Sequence, residues 1–252
     1  FSIFNEFILS KEILNLPRQG TINYHDAPLP KYAGINATSW ALINREKKHG
    51  VSWHLVNEVV DAGDILRQTL VEIERNETAF TLNAKCYEAA IASFAEFIED
   101  ISLDRVVRVE QNLKQRTYYG RSKRLSNAGL TSFNCEAQEL DAKIRAVDFR
   151  SYPNSLGIFK LSVGNILIGV SRLEILDDRA SVDLPGTITE IGSDFLTVAT
   201  KDYEVALKSL QSLDGEILSI EKLVNEFQLQ VGDQFGECAP ELIEKIEKFD
   251  SS

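Results

Sequence analysis

The chain has no methionine, only three histidines and three cysteines, and fewer basic than acidic side chains, 27 Lys and Arg against 38 Asp and Glu. Each shortage excludes something. Cys86, Cys135 and Cys238 are odd in number and far apart in sequence, which argues against a disulfide framework and against the paired spacing of a metal site. They fit a reducing compartment, and without a signal-peptide pattern the expected location is cytoplasmic. No apolar run approaches the roughly eighteen residues that a membrane-spanning helix needs. The formal charge of −11 speaks against a broad surface for a polyanion. The basic cluster Lys114, Arg116, Arg121, Lys123 and Arg124 reads as a solvated linker, with docking to an acidic neighbour or a phosphate-bearing molecule as the alternative.

What the chain does have is concentrated between Gly20 and Gln68. All three histidines lie there, His25, His49 and His54, with an Asn-Tyr-His triplet, a Pro-Leu-Pro turn and an Asp-Ala-Gly-Asp turn. Gly20 to Tyr24 is short and partly β-branched, as a buried strand is. Asn36 or Thr38 can cap a helix running to Arg45. From Val51 to Val60, Val51, Trp53 and Leu55 alternate with Ser52, His54 and Val56, the period of a strand. Strand, helix and strand then bring the loop of His25 beside the loop of Asp61, at the strand ends where open α/β sheets bind ligands.

Asn23, His25 and Asp61 suit one chemistry. An Asn amide donates to an oxyanion, a His moves or stabilises protons, and a buried Asp orients that His. None is a strong nucleophile, so the trio suggests direct acyl transfer without a covalent enzyme intermediate. By itself N-x-H is weak, and a chance pair is the commoner explanation.

The surrounding wording is more specific. Asn23-x-His25 is followed by Pro28-Leu29-Pro30-Lys31-Tyr32-x-Gly34, Trp40-Ala41, Gly50-Val51 and Asp61-Ala62-Gly63-Asp64-Ile65, and the whole resembles the folate-dependent formyltransferases. Ile22 to Pro30 and Asn36 to Leu42 look most like the formyltransferase domains of non-ribosomal peptide synthetases and related natural-product enzymes. The pattern departs from the commonest form at Asp26-Ala27, where many relatives have Ser or Gly, which bears on the branch. The resemblance implies catalytic roles for Asn23, His25 and Asp61 and 10-formyltetrahydrofolate as formyl donor. It also implies a pterin pocket walled by Phe4, Phe7 and Ile8 on one side and by Val59, Val60 and Asp64 on the other. Family members carry a further βαβ half-domain before this point, so a chain opening on Phe1-Ser2-Ile3-Phe4 is expected to lack that half.

The remainder gives the organisation. Ser10 is a helix N-cap, Ile65 to Ile73 a strand, and the Gly of Asp61-Ala62-Gly63-Asp64 is expected to supply a positive φ. Leu82, Cys86, Ala89, Ala90, Phe94, Phe97 and Ile101 recur at helical spacing over Thr78 to Ile101, with Cys86 as a small core residue. Residues 103–135 read as a linker, and Glu136 to Phe149 as a short helix. Gly164–Ile175, Gly186–Ile191, Phe195–Ala199 and Tyr203–Leu210 are strands at short intervals, followed by a helix from Ser219 to Phe227. The expected fold class is α/β: the C-terminal half of a Rossmann-like formyltransferase domain over 1–102, then a small OB-like β-barrel domain over 136–245.

The expected activity is transfer of a formyl group from 10-formyltetrahydrofolate to an amine. The expected acceptor is an aminoacyl group on a carrier protein, with neighbouring synthetase domains as partners. The charge makes tRNA an unlikely partner on this reading. The alternatives are an inactive docking module of a larger synthetase, or a tRNA or amino-sugar formyltransferase. No metal is expected, and His49 and Asp64 are assigned to a surface loop and a turn.

Overall fold

The computed structural model describes residues 1–3, 7–150, 152–163 and 166–235, in two compact units, Phe1–Lys123 and Arg124–Ser252. Phe4, the start of the expected strand at Gly164, Cys238 and the stretch 236–245 lie outside the described residues.

In the first unit a short helix α1 (Lys11–Leu14), with Ser10 at its N-cap, precedes β1 (Ile22–His25). The chain then crosses β2 (Ala33–Gly34) and α2 (Ala37–Ile43) to reach β3 (Lys48–Leu55) and β4 (Ile65–Glu72). A long helix α3 (Ala79–Ser102) and a short strand β5 (Tyr118–Tyr119) follow. The sheet order is β1-β3-β4, antiparallel throughout, with Ile22 opposite Leu55 and His25 opposite Ser52. The mixed α/β class holds, and these three strands pair antiparallel where the strand–helix–strand unit of a parallel sheet would not. At about 1.5 Å per residue the seven residues of α2 are too short to carry the chain back along β3, so it re-enters beside the end of β1 that it left. Among the described residues of this unit, parallel contact is limited to the β2–β5 pair and a bridge between Ser2 and Asn23.

Period-two alternation sorts the central strands by face. Tyr24, Val51 and Trp53 turn to α3, where Trp53 stands 5.3 Å from Phe94 and 5.7 Å from Phe97 between ring centroids. Phe1 completes the cluster with edge contacts to Trp53, Phe94 and Phe97. α3 begins at a capping box formed by Thr78 and Thr81 and buries Leu82, Cys86, Ala90 and Phe97, the stripe expected from its spacing. Arg67 of β4 fastens the helix from outside, donating to the Ser93 carbonyl at 2.9 Å and to Glu96 and Asp100. The opposite face of β1 and β3 carries Asn23, His25, Ser52 and His54.

In the second unit α4 (Ala137–Ala146) opens under a cap from Asp202, whose carboxylate accepts from the Ala137 N–H at 2.8 Å. There follow β6 (Lys160–Val163), β7 (Ile166–Ala180), β8 (Ile188–Ile191), β9 (Leu196–Ala199), β10 (Tyr203–Gln211) and β11 (Ile217–Leu218), then α5 (Ile220–Phe227). The path β6-β7-β10-β9-β8 is antiparallel, with β11 on β10. Register shifts between β7 and β10 mark bulges, which bend a sheet. Among the described residues no pairing closes β6 onto β8, so the structure gives an open antiparallel sheet where an OB-like barrel was expected. β6, four residues long, is an addition to the strands read from the sequence. No helix among the described residues is long and apolar enough to cross a membrane.

Candidate functional site

Asn23 and His25, two apart on β1, share a face, and antiparallel pairing sets His54 opposite Asn23. The chain beyond β3 turns back at Asp61, whose carboxylate reaches the same space. His54 Nδ1 lies 2.8 Å from the Leu55 carbonyl and donates to it, since that oxygen can only accept. Its Nε2 is then 3.2 Å from the Asn23 amide nitrogen and 3.4 Å from Asp61 Oδ1. A neutral His54 accepts from Asn23 there, and a protonated one donates to Asp61. His25 donates through Nε2 to the Tyr32 carbonyl at 2.9 Å. That leaves its Nδ1 facing two carboxylates, Asp61 Oδ2 and Asp26 Oδ1, each 3.8 Å away.

Asp61 is held from several directions. Its Oδ2 accepts from the Gly34 N–H at 2.8 Å. Burial pushes its carboxyl upward, but the His54 hydrogen bond, the charge of His25 and the Gly34 N–H outweigh burial and bring it down to about 2. It therefore stays ionised throughout the neutral range. Asp61 itself takes the left-handed conformation, with φ 51°. The expectation that Gly63 supplies the positive φ is thus corrected: the left-handed residue is Asp61, and Gly63 serves close approach. A Cβ at Gly63 would lie 1.8 Å from the Leu55 carbonyl oxygen.

His49, assigned to a surface loop from the sequence, is a fully buried residue of β3. Its Nε2 donates to the Asp26 carbonyl at 2.7 Å, and its ring meets Tyr32 edge-on. Burial pushes its imidazole below the usual range against the pull of Asp26. The sequence missed it because Lys47-Lys48-His49-Gly50 reads as a polar turn, whereas the strand starts at Lys48. His54 was likewise read only as a member of an alternating strand. Its partners follow from an antiparallel register that strand–helix–strand order did not suggest.

The residues expected around the pterin lie on exposed segments. Phe7 and Ile8 are 80% and 85% exposed, and Val59 and Val60 are 55% and 36% exposed. Lys11 pairs with Glu58 at 2.7 Å, which draws the segment after Ile8 toward the segment before Val59. Among the described residues no cluster of three or more His, Cys, Asp or Glu side chains could hold a metal ion.

The arrangement has what acyl transfer to an amine requires. With His54 neutral, one of Asn23's two amide N–H groups goes to its Nε2 and the other is left for an oxyanion. His25 offers Nδ1 for proton movement, backed by a carboxylate that remains charged.

Comparison with known proteins agrees with this chemistry. The family described as Formyl transferase matches residues 5–98, and Formyl transferase, C-terminal domain, matches residues 126–228. A methionyl-tRNA formyltransferase of Caldicellulosiruptor saccharolyticus is 32% identical over 228 residues, covering 90% of this chain and 70% of the relative. One from Clostridioides difficile is 27% identical over 230 residues, covering 91% and 71%. Among solved structures, WlaRD, a sugar 3N-formyl transferase in the presence of dTDP and 5-N-formyl-THF, superposes with a TM-score of 0.61 at 20% identity over 74% of this chain and 64% of its own. HypX from Aquifex aeolicus, in complex with tetrahydrofolic acid, gives 0.62 at 16% identity over 84% and 36%. The chain thus spans less than two thirds of either solved chain. The expectation that tRNA is an unlikely partner is overturned, because relatives matching about nine tenths of the chain are methionyl-tRNA formyltransferases. None of these relatives is a peptide synthetase, so the expected carrier-protein and synthetase partners are without support.

Proposed function

The chain belongs to the formyltransferase family, and we propose that it transfers the formyl group of 10-formyltetrahydrofolate to the α-amino group of an aminoacyl-tRNA of the methionyl class. The observation that carries the reading is the convergence of Asn23, His25 and Asp61 on one buried polar space, with His54 joining Asn23 to Asp61. The donor supplies a carbonyl carbon open to attack by an amine. The free N–H of Asn23 holds the oxygen of that carbonyl as negative charge develops on it. His25 takes the proton released by the acceptor nitrogen at Nδ1 and returns it to the folate nitrogen that leaves. Asp61, ionised throughout, stabilises the imidazolium between the two transfers. Phe7 and Ile8 on one side and Val59, Val60 and Asp64 on the other hold the pterin, a reading supported by their exposed apolar surface and by the Lys11–Glu58 pair between the two segments.

The test is formyl transfer by the whole protein, with methionyl-tRNA and a nucleotide-linked amino sugar as alternative acceptors. Transfer to the charged tRNA is expected, and His25→Ala should lower it by about a hundredfold, in the range seen when one stabilising group is lost. Transfer to the sugar alone overturns the acceptor. Near-normal transfer by the His25→Ala protein overturns the mechanism.

A further inference from the structure

Residues 111–119 lie outside both matched family regions, 5–98 and 126–228, and read from the sequence as part of a linker. In the structure this segment touches both loops of the candidate site. Gln111 is buried, 6% exposed, and its Nε2 donates to the Asp61 carbonyl at 2.9 Å and to the Gly63 carbonyl at 2.6 Å. Its Oε1 has no partner, so the hydrogen bonding of this buried amide goes entirely to the turn that carries Asp61. Arg116 donates to the Val60 carbonyl at 2.9 Å and stacks over Tyr118 at 4.7 Å.

The far end of the segment holds the other loop. Tyr32 N–H donates to Thr117 Oγ1 at 2.7 Å, and Ala33 and Ile35 N–H donate to the Thr117 and Tyr119 carbonyls. Tyr119 is stacked between Trp40 and Tyr32, at 4.6 and 5.7 Å between ring centroids. The approach is so close that a Cβ at Gly34 would lie 2.2 Å from the Tyr119 carbonyl oxygen. The residues so fixed are those that hold the chemistry: the Tyr32 carbonyl orients His25, and the Gly34 N–H binds the Asp61 carboxylate.

We propose that the 111–119 segment is a positioning strap for the transfer reaction, with Gln111 as its principal positioning residue. Both of its ends act on Asp61. Gln111 fixes the backbone carbonyl of Asp61 directly, and Tyr119 fixes its carboxylate through Gly34. Asp61 sits in the left-handed region, which Asp tolerates better than most residues with a side chain but which is still uncommon. A carboxylate that must stand beside two imidazoles loses its effect when its turn relaxes. Gln111 acts through Asp61, and Arg116 through the Val60 carbonyl one residue before it, and neither need touch a substrate.

The inference rests on the formyl-transfer reading, and the experiment separates the two. If the unsubstituted whole protein transfers no formyl group, that reading fails. If it does, Gln111→Met, which keeps the side-chain length and removes the N–H donors, tests the strap. Expected is a kcat lower by about tenfold or more, with KM for donor and acceptor within about threefold and an unchanged circular dichroism spectrum. In an Asp61→Asn background the same change should lower kcat by less than about twofold, because its effect passes through Asp61. A kcat within about twofold of the unsubstituted protein overturns the proposal, as does a full loss repeated in the Asp61→Asn background. Should Gln111→Met fail to fold, Arg116→Met removes only the donor to Val60 and the stacking on Tyr118. It should lower kcat by about threefold or more at constant KM for the acceptor, and an unchanged kcat overturns the proposal by itself.

Discussion

Gly63→Ala perturbs the site without touching any of its side chains. The added Cβ would stand 1.8 Å from the Leu55 carbonyl oxygen and 2.7 Å from its carbon. Both are backbone atoms at the end of β3, so no side chain can swing aside. Ordinary contact needs about 3.5 Å, and the turn must therefore withdraw from β3 by about 1.7 Å. That withdrawal breaks the hydrogen bond from Leu55 N–H to the Asp64 carbonyl, 2.9 Å long, and strains the one from Gln111 to Gly63. Overpacking of this kind costs about 1–3 kcal/mol, and each buried hydrogen bond adds about 1 kcal/mol. The expected loss is about 3 kcal/mol in urea unfolding. Catalysis should suffer more, because a catalytic group misplaced by about 1 Å costs on the order of a hundredfold. The assays are a denaturation curve and single-turnover formyl transfer on the same preparation. Stability within about 0.5 kcal/mol of the unsubstituted protein, together with turnover within about threefold, would refute the reasoning.

Two further outcomes follow from the fold and the electrostatics. The Asp61 carboxyl, lowered from 3.8 to about 2, contributes about 2 kcal/mol that is fully present above its unfolded value and disappears as pH falls from about 4 to about 2. The stability difference between the unsubstituted and Asp61→Asn proteins should shrink across that acid window, and a difference that stays constant contradicts the pairing with His54 and His25. Phe97, fully buried between Trp53, Phe1 and Arg67, should cost about 4 kcal/mol on change to Ala, read as a lower thermal midpoint. A loss under about 1 kcal/mol would mean that the aromatic cluster is not the core of the first unit.

The elements were legible wherever one period ran long enough. The stripe of α3, the alternation of β3 and the short strands from Gly186 to Leu210 stand close to where their spacing puts them. Pairing direction was not legible. A seven-residue α2 and a long crossing segment from Asp26 to Gly34 return the chain to the end of β1 that it left, and local periodicity carries no record of that path. The misreading hid His54, because its place opposite Asn23 exists only in the antiparallel register. Gln111 was hidden for another reason. A two-residue strand such as β5 and an amide aimed at two carbonyls leave no pattern in composition, and such a segment looks like any polar connection.

The charge argument failed for a physical reason as well. A net charge of −11 sums over the whole surface, yet counterion release depends only on the cations that meet phosphate. Ion pairs leave that total unchanged but spread it unevenly over the surface: Glu58 pairs with Lys11, Glu72 with Lys48, Glu96 and Asp100 with Arg67, Glu190 with Arg179. Exposed pairs of this kind contribute little to stability, but they neutralise one another locally and leave the potential at any given face undetermined by the total. Overall acidity thus bears on solubility and on non-specific adhesion to polyanions, and by itself excludes no acceptor.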